Sequence, residues 1–149
     1  MEIFAHFINN NKQIKTIAEI DSECDSLSNI LLENENLKNK YYVISPYYTG
    51  SSNDRTIIDE YIEDFDISII SNINTLILPH IFEPCYEQKE ILDSLLNLKN
   101  IKYVYIDHKY KESDYLIILM RSYNFGLIEY IENERTSSFF YFQRLQYNE

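Results

Sequence analysis

Residues 101–145, IKYVYIDHKYKESDYLIILMRSYNFGLIEYIENERTSSFFYFQRL, decide how the chain is read. Within them IKYVYID (101–107), DYLIILMR (114–121), GLIEYIE (126–132) and SSFFYFQRL (137–145) are β-rich runs divided by short polar turns. Sequential strands with short connections pair antiparallel, so the stretch predicts a C-terminal antiparallel meander. The unbroken apolar run Leu116–Met120 fits a strand covered on both faces.

Upstream, the pattern alternates between strand and helix. EIFAHFI (2–8) reads as an opening strand, and Asn9-Asn10-Asn11 as a turn, because Asn tolerates left-handed backbone. Ile14, Thr16, Ala18 and Ile20 alternate as a strand does, whereas Ile17, Ile20, Cys24, Leu27 and Leu31 recur at helical spacing. A hairpin of 2–8 with 14–20, followed by a helix over about 22–35, is the preferred reading; a strand-helix unit is the alternative. Ser22 and Asp25 resemble a capping box. YYVIS (41–45) is a strand stopped by Pro46, and YYTGSSND (47–54) is a loop leading into a helix. That helix carries Ile57, Ile58, Tyr61, Ile62 and Phe65 on one side and Asp59, Glu60, Glu63 and Asp66 mostly opposite. ISII (67–70) and TLIL (75–78) are further strands. Pro84, flanked by Glu83 and Glu87, opens a helix that buries Ile91, Leu92, Leu95 and Leu98 and ends near Asn100. The fold class is mixed α/β: one domain over residues 1–149, with a mixed sheet and about three helices packed on it.

Composition narrows the function. The 149 residues carry 13 Lys and Arg against 24 Asp and Glu, a net charge of −11. A nucleic-acid binder needs clustered cations to meet phosphates, and an anionic membrane would repel this chain, so direct binding to either is not expected. No apolar run approaches the ~20 residues of a membrane span, and the opening EIFA does not read as a basic-then-apolar signal. Cys24 and Cys85 have no motif spacing, which fits a reduced, cytoplasmic protein. The 2 glycines are far below the ~7% average, which removes most phosphate-loop readings.

Catalytic candidates are few. His80 after Pro79 and His108 after Asp107 stand at strand ends, where open sheets bind ligands, but no nucleophile accompanies them. His6 reads as a partly buried strand residue. Glu83, His80 and Cys85 lack a second ligand pair for zinc, and Cys24 reads as packing on a helix. No metal and no cofactor are expected. The loop with Thr49, Ser51 and Ser52 is the best anion candidate, with Arg55 its nearest cation.

Acids and tyrosines are more prominent. Asp59, Glu60, Glu63, Asp64 and Asp66 crowd one segment, while Glu129, Glu132 and Glu134 mark another. A solvated face explains such runs as well as recognition does. Among 14 tyrosines, Tyr41, Tyr42, Tyr47, Tyr48, Tyr110 and Tyr147 fall in or beside expected loops and ends. Tyrosine supplies contact area at low entropic cost, and negative charge speeds association with a basic partner.

The opening strand IFAHFI, the amphipathic stretch after it, YYVISP (41–46) and the acidic segment that follows place residues 1–66 beside a known family. They resemble bacterial toxin-immunity proteins, specifically the CdiI-type immunity proteins of contact-dependent growth inhibition systems. The resemblance implies a protein that binds a toxin domain, often a nuclease, and blocks its active site or substrate surface. On that reading the chain is a non-enzymatic inhibitor of a basic toxin domain, with Asp59, Glu60, Glu63 and Asp66 as the charged face and Tyr47 and Tyr48 as anchors. A phage-encoded antagonist of a defence nuclease shares that physics. The alternative from another class is a small nucleotide- or phosphate-binding enzyme using Thr49, Ser51, His80 and His108.

Overall fold

A computed structural model describes residues 2–79, 86–108, 113–132 and 138–146. In chain order the elements are α1 (Glu2–Asn9), β1 (Ile17–Ile20), α2 (Ser26–Leu31), β2 (Tyr41–Ile44), β3 (Thr56–Ile58), β4 (Thr75–Pro79), α3 (Tyr86–Leu96), β5 (Tyr103–His108), α4 (Ser113–Ser122), β6 (Phe125–Glu132) and β7 (Ser138–Arg144). Short 3-10 turns occupy Glu35–Leu37, Ile62–Asp64 and Ile67–Ile70.

The strands make one sheet of order β3-β2-β1-β4-β5-β7-β6. β1 pairs in parallel with β2 and β4, β2 with β3, and β4 with β5. β7 enters between β5 and β6 and runs antiparallel to both. Every residue of β1 and β4 is buried, the signature of parallel strands covered on two faces.

Alternating side chains divide the core in two. Ala18, Ile20, Ile44, Leu76, Leu78, Val104 and Ile106 share one cluster with Leu92 and Leu95 of α3 and Leu116 and Met120 of α4. Ile17, Tyr41, Val43, Ile77 and Tyr105 share the other with Phe4, Phe7 and Ile8 of α1 and Leu27 and Leu31 of α2. Each of the larger side chains, Val, Leu, Ile, Met or Phe, contributes roughly 1.5–3 kcal/mol on full burial. Helices cover the sheet on both faces.

Several expected elements differ. Residues 2–8 form α1 rather than a strand, so the hairpin with 14–20 does not exist; only Ile17–Ile20 is strand, and its partners are parallel. The β-branched and aromatic content suggested a strand, but Phe4, Ala5, Phe7 and Ile8 fall on one helical face buried against the sheet, and packing overrides propensity. His6 lies exposed on that helix. The helix expected over about 22–35 contracts to α2 and the turn at Glu35–Leu37. The acidic helix over 57–66 is instead β3 and a 3-10 turn, and 67–70 is also 3-10.

The four-strand meander also fails at one place. DYLIILMR lies in α4, where Leu116 and Met120, four apart, face the core while Tyr115 and Ile118 are 63% and 69% exposed. Apolar residues on the outer face hid the helical period. The antiparallel pairing of β6 with β7 falls as expected, whereas β7 also inserting beside β5 does not follow from a meander; TLIL, YYVI and the helix of Leu92 and Leu95 fall where expected.

Candidate functional site

Ligands of open parallel sheets bind beyond the carboxyl ends of the strands, where the strand order reverses. That point lies between β1, whose neighbours continue to β2 and β3, and β4, which continues to β5. On the β1 side it is bordered by the turn Asp21–Asp25 and by the loop 45–55 after β2. The segment after β4 begins with His80, outside the described residues.

Asp21 leaves β1 with a φ of 59°, the left-handed backbone that a glycine ordinarily supplies at the first turn of this fold. Its backbone N–H still donates to the Ile44 carbonyl at 2.9 Å, so β2 fixes where the turn starts. Partial desolvation, then the nearby Glu63, raise the Asp21 carboxyl above its usual range.

Next to it stand two tyrosines. Tyr47 and Tyr61 join hydroxyls at 2.7 Å, with rings edge to face at 5.8 Å between centroids. They are 58% and 46% exposed, and the Tyr47 backbone N–H donates to Ser45 Oγ at 3.1 Å. The bond to Tyr61 raises the Tyr47 phenol, with smaller contributions from partial burial and from Asp21 and Glu63. Thus one exposed neighbourhood combines two carboxylates and two aromatic faces. Such a surface attracts cations.

The turn itself is covered by the loop after β2. Thr49 donates from its backbone N–H at 2.9 Å and from Oγ1 at 3.1 Å to the Glu23 carbonyl, and Cys24 and Thr49 form a parallel bridge. Ser51 N–H donates to Asp25 Oδ2 at 2.8 Å. Gly50 has a φ of 140°, and a Cβ there would lie 2.5 Å from the Asp25 carboxyl. Arg55 ties the loop to α2, donating to Ser28 Oγ and, at 2.8 Å, to Asn29 Oδ1, as well as to Tyr48 Oη at 3.2 Å.

Beneath the turn, Glu19 is wholly buried in β1. Its Oε1 accepts from the Tyr41 hydroxyl, and among the described residues Oε2 has no partner. Burial pushes this carboxyl up to about 7, against the smaller opposing effects of the Tyr41 bond and the Arg55 charge.

Of the residues singled out from sequence, Tyr47 and Glu63 come together, joined by Asp21 and Tyr61. Asp59 and Glu60 are exposed just beyond β3. Asp66 accepts from Ser68 N–H at 3.1 Å and Ser68 Oγ at 2.7 Å, which cap the following turn and lower its carboxyl. Tyr48 turns inward and donates to the Ser51 carbonyl at 2.7 Å. Tyr41, in the expected strand, is wholly buried and so is no contact residue, and Cys24 is exposed in the turn rather than packed on a helix. In the loop expected to hold an anion, Thr49 donates to the backbone carbonyl of Glu23 and the Ser51 N–H to the Asp25 carboxylate. His80, Glu83, Cys85, Tyr110, Glu134 and Tyr147 lie outside the described residues. Among the described residues no group of His, Cys, Asp and Glu could hold a metal ion, and no helix is long and apolar enough to cross a membrane. Asp21 was missed; its signal was its place directly after a buried apolar strand.

No family model and no curated sequence matches the chain. Solved structures do. The methyltransferase domain of bacterial CtHen1-C aligns with a TM-score of 0.71 at 9% identity, over 96% of this chain and 95% of that one. A SAM dependent methyltransferase from Aquifex aeolicus gives 0.69 at 10% identity, over 95% and 89%. A protein in the NADB-Rossmann superfamily from Streptococcus agalactiae gives 0.66 at 12%, over 97% and 69%. At these identities the likeness establishes the fold. The fold is Rossmann-like, with a seven-stranded mixed sheet.

These matches correct the immunity reading. The resemblance to CdiI-type proteins rested on an opening strand and an acidic helix that are not present, and the structures matched include several methyltransferases and no immunity protein among those named here. The expectation of a toxin inhibitor without chemistry of its own falls with it.

The cofactor such folds imply can be tested against the residues present. S-adenosylmethionine carries a cationic sulfonium and ammonium, a carboxylate and a ribose, but no phosphate. Its cationic part fits Asp21, Glu63, Tyr47 and Tyr61. The turn Asp21–Asp25 holds no glycine, so it lacks the fingerprint by which a dinucleotide's pyrophosphate approaches the backbone.

Proposed function

We propose that the chain is a methyl-transfer domain that holds a sulfonium donor of the S-adenosylmethionine class at the carboxyl ends of β1 and β2. The observation that carries this reading is the strand order, with β7 inserted antiparallel between β5 and β6, in a fold matched along nearly the whole chain by methyltransferases. When bound, such a donor supplies an electrophilic methyl carbon on a positively charged sulfur.

Asp21 and Glu63 would hold the donor's positive charge, and the Tyr47 and Tyr61 rings would offer their negative faces to it. These contacts favour the charged ground state, and the charge on sulfur disperses as the methyl leaves. They therefore serve binding and orientation more than acceleration of the transfer. The net charge of −11 disfavours a nucleic-acid acceptor, so a neutral or cationic acceptor is the better fit.

Calorimetric titration with S-adenosylmethionine, S-adenosylhomocysteine and NAD tests the reading. Saturable binding of the first two and none of NAD is expected. A ligand at ~100 times its Kd adds about 2.7 kcal/mol of stability, which thermal melting would detect. Absence of binding by both adenosine thioether and sulfonium would overturn the assignment.

A further inference from the structure

We propose that the cavity between the loop 10–13 and the tyrosines of β5 and β7 is a second ligand site, suited to an uncharged planar heterocycle of the nucleobase class. The cavity measures about 480 Å³, within the range of small-molecule sites. It lies toward the amino ends of the parallel strands, since Tyr103 opens β5 and Gln13 precedes β1. It is therefore separate from the turn that follows β1.

The observation that points to a ligand is Tyr105. This residue lines the cavity, and its hydroxyl is buried and makes no hydrogen bond with a described residue. Asn11 and Tyr141 stand near it but are engaged with each other, Asn11 Nδ2 donating to Tyr141 Oη at 3.3 Å. Tyr103 is also engaged, donating its hydroxyl to Gln13 Oε1 at 2.5 Å. A buried phenol without a partner carries a desolvation cost that phenylalanine in the same place would not.

The remaining wall indicates what would meet that hydroxyl. Asn10, Asn11, Gln13 and Gln143 line the cavity with carboxamides. Each amide sets a donor beside an acceptor, which matches the paired edge of a heterocyclic base. Tyr105 and Tyr141 stack at 4.6 Å between centroids, with Tyr103 tilted 6.2 Å from Tyr141, and bases lie against such rings. Burial raises the Tyr105 phenol and pushes that of Tyr141 up to about 12, so both remain neutral donors. Lys12 and Glu129, both exposed at the cavity, are opposite in sign, which favours an uncharged occupant.

The test titrates the full chain with free adenine, cytosine and uracil, and with glucose as a non-planar polyol. Side-chain amide signals of Asn11, Gln13 and Gln143 are followed by NMR. At least one base should shift these signals saturably, and glucose should not. Tyr105→Phe should bind that base about tenfold more weakly yet melt at or above the parent's temperature, because it removes an unsatisfied group. Gln143→Leu, which leaves Tyr105 in place, should weaken the same base. Shifts with no base, shifts with glucose as large as with the bases, or base shifts confined to residues 21–25 would overturn the proposal. So would undiminished affinity in Tyr105→Phe, or a lowered melting temperature there, which would mean that the hydroxyl is already satisfied. No methyl donor enters the measurement, so failure of S-adenosylmethionine to bind would count against the donor assignment alone.

Discussion

Tyr41 on β2 donates its hydroxyl to Oε1 of Glu19 on β1, inside the cluster that α1 and α2 close over the sheet. In the parallel register Tyr41 lies opposite Ile17 and Val43 opposite Glu19, so the bond runs diagonally on one face. A carboxyl that is ordinarily at 4.5 and sits at about 7 when folded gives the native state the greater proton affinity. Between those values the folded chain holds a proton that the unfolded chain has lost, so stability falls as pH rises through that window and levels off above it. The full difference is roughly 3 kcal/mol. Urea unfolding of the parent and of Glu19→Gln across this range checks it: the variant should lose most of the slope, whatever its absolute stability.

Arg144 bridges parts of the chain that are distant in sequence. Its Nε donates to the Ile101 carbonyl at 2.8 Å, and its Nη2 to the carbonyls of Leu96 and Leu98 at 3.0 and 2.9 Å, with the guanidinium 4.5 Å above the Phe125 ring. A lysine has no planar fork for those acceptors. Arg144→Lys should lower stability by about 1–3 kcal/mol in denaturant titration. Because Arg144 lies at the amino end of β5, donor affinity of the folded variant should be unchanged.

The left-handed backbone of Asp21 sets a different expectation. A residue with a Cβ costs about 1–2 kcal/mol in that region, less for Asp than for most. Asp21→Gly should therefore be neutral or stabilising, whereas Asp21→Ala should lose about 1 kcal/mol relative to Gly, measured as a difference in urea midpoint.

Charge should separate the two adenosine ligands. Asp21→Asn and Glu63→Gln remove negative charge beside Tyr47 and Tyr61. Each should weaken S-adenosylmethionine binding by roughly threefold to tenfold, while S-adenosylhomocysteine, which lacks the sulfonium but keeps the ammonium, should lose less. Equal losses for both ligands in calorimetry would show that the acids do not sense the sulfur charge.

The strands were legible where burial imposes continuous apolar runs, as in TLIL and YYVI, and where β7 follows β6 after a short polar stretch. The helices α1 and α4 were not, because both are dense in aromatic or β-branched residues. In α4, Tyr115 and Ile118 also place apolar groups on the exposed side. The parallel order of β1 to β5 depends on crossovers that no local pattern encodes. At the candidate site, Tyr47 and Glu63 were visible as an aromatic and an acid, but the helix that would have grouped the acids is absent. Asp21 was hidden because an acid stands in a position usually given to glycine.

The placement of β7 has a bearing on synthesis. β6 leaves the ribosome before β7, yet among the described residues β7 is its only neighbour in the sheet. Until residues 138–144 emerge, β5 and β6 both present unsatisfied backbone, a ready template for pairing with another nascent chain. Ribosome stalling just before that point would thus expose this protein to aggregation far more than stalling elsewhere, and chaperone demand should peak over a few tens of codons.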